Sequence, residues 1–183
     1  MKGIILYKGK YGATEQYAEW VSARTNLAFK PSHECTQQDL QSSDFLVMGT
    51  SVYMGMLGIK EWLKNNTDLL RGKKLFLFVV CSTLAQDAEK LEEYVSSSVP
   101  AQLRPACNIY FLPGRLDYKK LTWSDRFMLR IGALFTKNEN DKQRILKSFD
   151  SVKIEHIESL VSDIRRYMTD YLITSPLKSP VTN

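Results

Sequence analysis

Residues 1–24 read MKGIILYKGKYGATEQYAEWVSAR, and the fold of the whole chain turns on how this stretch divides. Gly3 to Tyr7 is a short apolar run rich in β-branched and aromatic residues, the pattern of a buried strand. Lys8, Gly9, Lys10, Tyr11, Gly12, Ala13 and Thr14 break that pattern with two glycines. From Thr14 the apolar positions fall at Tyr17, Ala18, Trp20, Val21 and Leu27, near helical spacing. A loop between a strand's C-terminal end and a helix N-terminus aims backbone N–H groups at one spot. The helix dipole adds positive field there, so the loop suits a phosphate. Thr14 offers a hydroxyl at the helix start. The loop matches neither G-x-x-x-x-G-K-[ST] nor G-x-G-x-x-G, which argues against a P-loop nucleoside triphosphatase and a dinucleotide fingerprint. A turn that binds nothing has the same parts, because any doubly wound sheet needs such connections.

Downstream, strand-like and helix-like runs alternate. Leu27 to His33 is a weak strand, and Pro31 assigns it to a sheet edge. Thr36 to Leu40 reads as a short polar connection. Asp44 to Gly49 is a strong apolar strand, followed by the loop Thr50, Ser51, Val52, Tyr53, Met54, Gly55. The next helix sets Met56, Ile59, Trp62 and Leu63 on one stripe. Leu75 to Cys81 is the most hydrophobic run and the expected central strand. Ser82, Thr83, Leu84 and Ala85 lead into a helix with Leu84, Ala88, Leu91 and Val95 on one face, closed by Pro100. Asn108 to Leu112 is the last strand. Fully apolar strands alternating with helices predict an α/β fold: a doubly wound, five-stranded parallel sheet with helices on both faces, most simply in the order 2-1-3-4-5.

Three loops follow the strands that flank the point where that order reverses: 8–14, 50–55 and 82–85. The first of them resembles the phosphate loop of the flavodoxin superfamily, which commonly reads Ser/Thr-x-Thr-Gly-x-Thr. Gly12 and Thr14 match its last Gly-x-Thr, whereas Gly9 and Tyr11 stand at hydroxyl positions. That departure leaves backbone N–H groups, with Lys8 and Lys10 as charge partners. Flavodoxins have the strand order given above and bind FMN at the switch point, so the cofactor and its place come with the resemblance. By the same resemblance the second and third loops bracket the flavin ring, and Tyr53 is the stacking residue.

A second resemblance is narrower. The stretch KGKYGAT followed by EQYAEW, and Trp123-Ser124-Asp125-Arg126-Phe127-Met128 after the last core strand, are similar to the flavodoxin-like class of protoporphyrinogen oxidases. It covers about residues 2–173 and is strongest in 3–21 and 110–130. It implies an FMN-dependent oxidoreductase passing electrons to a quinone, with the tract at Trp123, Arg126, Phe127 and Arg130 in contact with substrate or membrane. Two other readings stay open: an electron carrier working with a reductase or acceptor protein, and an interaction protein of the same fold that has weakened or lost FMN binding.

Composition bounds these readings. The chain has 183 residues, enough for one domain with a sizeable core, expected over 1–173, with residues 174–183 as a flexible tail. No apolar run approaches a membrane span, Met1-Lys2 leads straight into a strand, and Cys35, Cys81 and Cys107 form no CxxC pair. A reducing cytoplasm is therefore expected, without a disulfide framework, a metal site or a nucleic-acid partner. Residues 115–153 carry ten Lys/Arg against five Asp/Glu, equal to the entire net charge of +5. That concentration favours an anionic partner such as lipid head groups, a carboxylate-bearing substrate or an acidic protein. A solvated lysine-rich face has the same composition. Residues 115–150 exceed a minimal five-stranded pattern, with a helix expected over Leu121–Phe135 and a second, longer one after Ile154. His33 and His156 read as solvated or capping residues. No residue is assigned a catalytic proton or nucleophile; any redox chemistry would belong to the cofactor.

Overall fold

The computed structural model describes residues 1–53, 55–82, 87–135 and 148–174. In chain order the elements are β1 (Gly3–Lys8), α1 (Ala13–Thr25), β2 (Ala28–Pro31), α2 (Gln37–Ser42), β3 (Phe45–Tyr53), β4 (Met56–Leu57), α3 (Lys60–Asn65) and α4 (Thr67–Leu70). There follow β5 (Lys74–Cys81), α5 (Ala88–Ser98), β6 (Cys107–Pro113), β7 (Arg115–Leu116), α6 (Trp123–Phe135), β8 (Phe149–Asp150) and α7 (Glu158–Thr174). Five parallel strands run in the order β2-β1-β3-β5-β6, the expected doubly wound arrangement.

The side-chain period of two explains why this sheet is covered on both sides. Ile5, Val47, Phe76 and Phe78 point to one face and meet Tyr17, Ala18 and Val21 of α1 and Leu160, Val161 and Ile164 of α7. Ile4, Leu6, Leu46, Met48, Leu75 and Leu77 point to the other and meet Leu63 of α3 and Leu91 and Val95 of α5. Two strand glycines make room for rings, since a Cβ on Gly3 would collide with Phe45 and one on Gly49 with Phe78. β2, carrying Pro31, is an edge strand, as its composition requires.

Four expectations need correction. Thr36 to Leu40 is not a plain connection: Thr36 caps the short helix α2 through a complete capping box with Asp39. Residues 50–53 are not loop but the end of β3, which continues to Tyr53 and turns back into β4 in an antiparallel pair. Gly55, at φ 75°, supplies the left-handed turn residue. Met56 therefore belongs to that hairpin, and the next helix starts only at Lys60.

The fourth concerns the extra segment. β7 and β8 pair, Arg115 with Asp150 and Leu116 with Phe149, and close a neck from which residues 117–148 leave and return. Gly114 ties this neck to the sheet, donating to the Cys81 carbonyl and accepting from Ser151 N–H. The helix in this excursion begins at Trp123 rather than Leu121, which precedes it as a buried residue. The expected polar stretch 137–147 and the tail beyond 174 lie outside the described residues.

Candidate functional site

The first of the three candidate loops leaves the C-terminal end of β1. Gly9 packs directly on Thr14: a Cβ there would lie 2.6 Å from the Thr14 hydroxyl, so only glycine permits this approach. Gly12 is the N-cap of α1 at φ 80°, where no side chain caps the helix. Its carbonyl accepts from Gln16 N–H at 3.0 Å, while the earlier N–H groups of the first turn are left to whatever approaches the loop. Ala13 and Thr14 are buried; Lys8, Gly9, Lys10 and Gly12 are exposed and Tyr11 half-buried.

The second loop lies beside the first because β3 pairs with β1, Lys8 opposite Thr50. Thr50 faces inward; its hydroxyl accepts from Ile59 N–H at 3.1 Å and is used within the fold. Ser51 lends its carbonyl to Gly58 N–H. Val52 and Tyr53 form the hairpin with Leu57 and Met56, leaving Tyr53 42 % exposed. In the third loop Ser82 is exposed; Met54 and residues 83–85 lie outside the described residues.

The excursion brings a residue that the sequence reading had left out of the site. Asp125, in the first turn of α6, is only 3 % exposed and sits across the first two loops. Its Oδ2 accepts from Lys10 Nζ at 2.6 Å and from the Tyr11 hydroxyl, and its Oδ1 accepts from the Tyr53 hydroxyl at 2.7 Å. The Lys10 ammonium lies 5.0 Å from the Tyr53 ring centroid, within cation–π range. Its pKa is raised, chiefly by the hydrogen bond to Asp125. One charge partner and two phenols thus satisfy a buried carboxylate that would be costly alone.

Arg115, also outside the expected set, reaches α1 from the neck. It donates to the Gln16 side-chain oxygen at 2.9 Å and pairs with Asp150 at 3.6 Å. Asp125 stands within the tract quoted above and ends a Thr122-x-x-Asp125 cap pattern that could have drawn attention to it; no local signal marks Arg115.

Trp123 is 81 % and Phe127 57 % exposed, so α6 turns these two rings away from the domain. Arg126 is tied within its own segment: it donates to the Lys119 carbonyl at 2.6 Å and stacks over Tyr118. The Arg130 side chain lies outside the described residues.

Elsewhere the chemistry is quiet. His156 meets the Tyr17 hydroxyl at 3.1 Å, and Tyr17 donates to the Pro113 carbonyl. His33 is exposed beside Glu34. Burial pushes the Cys107 thiol up to about 12, which suppresses its thiolate at neutral pH. Among the described residues no three His, Cys, Asp or Glu converge as a metal site, and no helix is long and apolar enough to cross a membrane.

This arrangement suits binding better than proton transfer: a glycine-shaped, uncapped helix start and an exposed aromatic lie on adjacent strand ends at the sheet's switch point. The family profile described as "Flavodoxin domain" matches residues 4–143. The chain belongs to the flavodoxin-domain family. No curated protein gives a significant match.

Among solved structures, the flavodoxin domain is similar to a flavodoxin of Streptococcus pneumoniae TIGR4 (15 % identity, 89 % of this chain and 99 % of that one, TM-score 0.44). It is also similar to two-electron reduced Megasphaera elsdenii flavodoxin (17 %, 61 % and 84 %, 0.45). A Lactobacillus acidophilus flavoprotein in complex with FMN gives 16 %, 61 % and 91 %, and 0.43. At such values the family profile and the strand order carry the assignment.

Proposed function

We propose that this flavodoxin domain binds FMN across the loops 8–14, 50–55 and 82–85 and works as a flavin-dependent redox protein. The observation that carries the reading is the uncapped α1 N-terminus behind Gly9 and Gly12, one strand away from the exposed Tyr53 ring. The donor set fits an anionic head group followed by a flat ring. Backbone N–H groups of the first α1 turn would hold the phosphate, with Lys8 adding charge while Lys10 stays paired with Asp125. Gly55 keeps backbone close to the ring edge, and Tyr53 offers a face for stacking. When bound, the flavin would supply one- or two-electron transfer, and the chain would position it.

Within this reading we favour an oxidoreductase similar to the protoporphyrinogen oxidases over a plain carrier. The quoted tract supports that choice, and so does α6, whose Asp125 lies over the first two loops where a carrier would leave the flavin open to its partners. A quinone is the acceptor this resemblance implies. Exposed Trp123 and Phe127 on α6, in the segment that holds the excess positive charge, support contact with an anionic membrane surface.

The deciding experiment is an FMN titration followed by flavin fluorescence quenching and visible absorbance. Micromolar or tighter binding is expected, followed by turnover of a porphyrinogen with a quinone. Absence of binding at tens of micromolar FMN would refute both redox readings and favour the interaction protein. Binding without turnover, but with electron exchange through a reductase, would select the carrier. Failure to co-sediment with anionic vesicles at low salt would remove the membrane contact.

A further inference from the structure

Two helices of this chain begin with the same four-residue pattern, Thr-x-x-Asp, at Thr36–Asp39 and Thr122–Asp125. In both, the threonine hydroxyl accepts from the aspartate N–H, at 3.1 Å in α2 and 3.3 Å in α6. In α2 the Asp39 carboxylate returns to the Thr36 N–H at 2.8 Å and completes the box. In α6 the Asp125 carboxylate leaves its own helix start. It accepts instead from Lys10, Tyr11 and Tyr53, partners 115, 114 and 72 residues away in sequence. The local alternative is available and is used elsewhere in the same molecule, so the long-range arrangement marks a separate role.

We propose that Asp125 is a positioning residue. It clasps α6 across the first two ligand loops and, through the Tyr53 hydroxyl, fixes the ring that faces the flavin. This inference rests on the FMN-binding reading for its functional half. Two features favour a clasp over a carboxylate that merely occupies an anion's place. Its contacts on the first loop are side chains, Lys10 and Tyr11, so the backbone N–H groups at the start of α1 are left for a phosphate. It is also buried, with both oxygens engaged, so an incoming anion would have to break three bonds to displace it. The clasp makes α6 one wall of the site and orients its outward rings, Trp123 and Phe127, by the same contact.

The test uses Asp125→Asn, Asp125→Glu, Tyr53→Phe and the pair Asp125→Asn with Tyr53→Phe. In the protein without flavin, Asp125→Asn is expected to raise amide exchange across residues 118–135 about tenfold and leave β1, β3 and β5 unchanged. With FMN, Asp125→Asn and Tyr53→Phe should each speed flavin dissociation about tenfold and alter the visible circular dichroism of the bound ring. The pair should do little more than either alone, because both cut the same contact. Asp125→Glu should restore part of the slow dissociation.

Tighter FMN binding by Asp125→Asn would overturn the clasp and make the carboxylate a competitor. Unchanged exchange and dissociation would reduce the cluster to a surface network and also overturn it. If wild-type protein binds no FMN, the proposed function fails, and the exchange experiment still decides whether Asp125 holds α6 down.

Discussion

Gly12 is the position at which backbone conformation and ligand binding are most directly coupled. It caps α1 at φ 80° and ψ −12°, and a Cβ placed there meets nothing within 4 Å. A side chain at this point is therefore penalised by its own backbone and by no neighbour. The left-handed region costs an L-residue about 1–2 kcal/mol, the upper end applying to a β-branched one. In a domain of this size Gly12→Val should lower Tm by about 2–8 °C and still fold. If the loop instead relaxes out of the left-handed region, the Gln16-to-Gly12 bond opens and the first N–H groups of α1 change direction. Each charge-assisted bond to phosphate is worth about 1.5–3 kcal/mol, so losing one weakens FMN about ten- to hundred-fold. Riboflavin, which has no phosphate, should bind wild type and Gly12→Val alike. Gly12→Asn should fall between the two, because asparagine tolerates the left-handed region. The assay is a parallel fluorescence titration with FMN and riboflavin, alongside a thermal melt. Equal loss of both ligands, or unchanged FMN binding by a Gly12→Val protein whose Tm is also unchanged, would refute the placement of the phosphate at this helix start.

Other outcomes follow from the core and from titrating groups. Phe78→Ala, which empties the space above Gly49, should cost about 3–5 kcal/mol in urea unfolding; a loss under 1 kcal/mol would contradict the close packing there. The Lys30 ammonium, with Thr36, holds the Asp39 carboxyl below the usual carboxylate range. Its contribution is thus present above about pH 4, the unfolded value, and lost as pH falls through the folded one. Asp39→Asn should lower stability near neutrality, with the difference from wild type narrowing in acid. Desolvation first, then the Asp163 bond, pushes the Tyr110 hydroxyl up to about 12. Its stabilising effect is complete below about pH 10 and fades as pH rises toward 12. Phenolate absorbance should show this group ionising late together with Tyr7, also pushed up to about 12, and Tyr110→Phe should shrink that late step by one phenol.

Much of the architecture is legible because it depends on short-range patterns. An apolar run such as Leu75–Cys81 can be buried only in a sheet covered on both faces, and the five parallel strands stand in the expected order. The glycine loop at 8–14 also reads directly, since Gly9 and Gly12 answer local demands: a close approach and a positive φ. Three local details escaped. The capping box of α2 sits in a polar stretch whose apolar signal is a single buried Leu40. β3 runs past Gly49 to Tyr53, because its extension pairs with β4, a contact that periodicity does not register. Exposed Trp123 and Phe127 fit the outward contact expected of the tract at 123–130, but the burial of Asp125 on the same helix was missed, because hydrophobic spacing does not say which surface a helix meets.

What the sequence determined by itself is the doubly wound sheet and the loop at its switch point, since strand burial, helix period and glycine conformation are set by residues within a few positions of one another. What only the tertiary structure decided is the destination of the excursion: the β7–β8 neck, Arg115 beside Gln16, and Asp125 among Lys10, Tyr11 and Tyr53. Thr36–Asp39 and Thr122–Asp125 have the same local preference and end differently. Asp39 keeps its own helix cap while also accepting from Lys30, whereas the donors for Asp125 come from the first loop and the end of β3, more than seventy residues away.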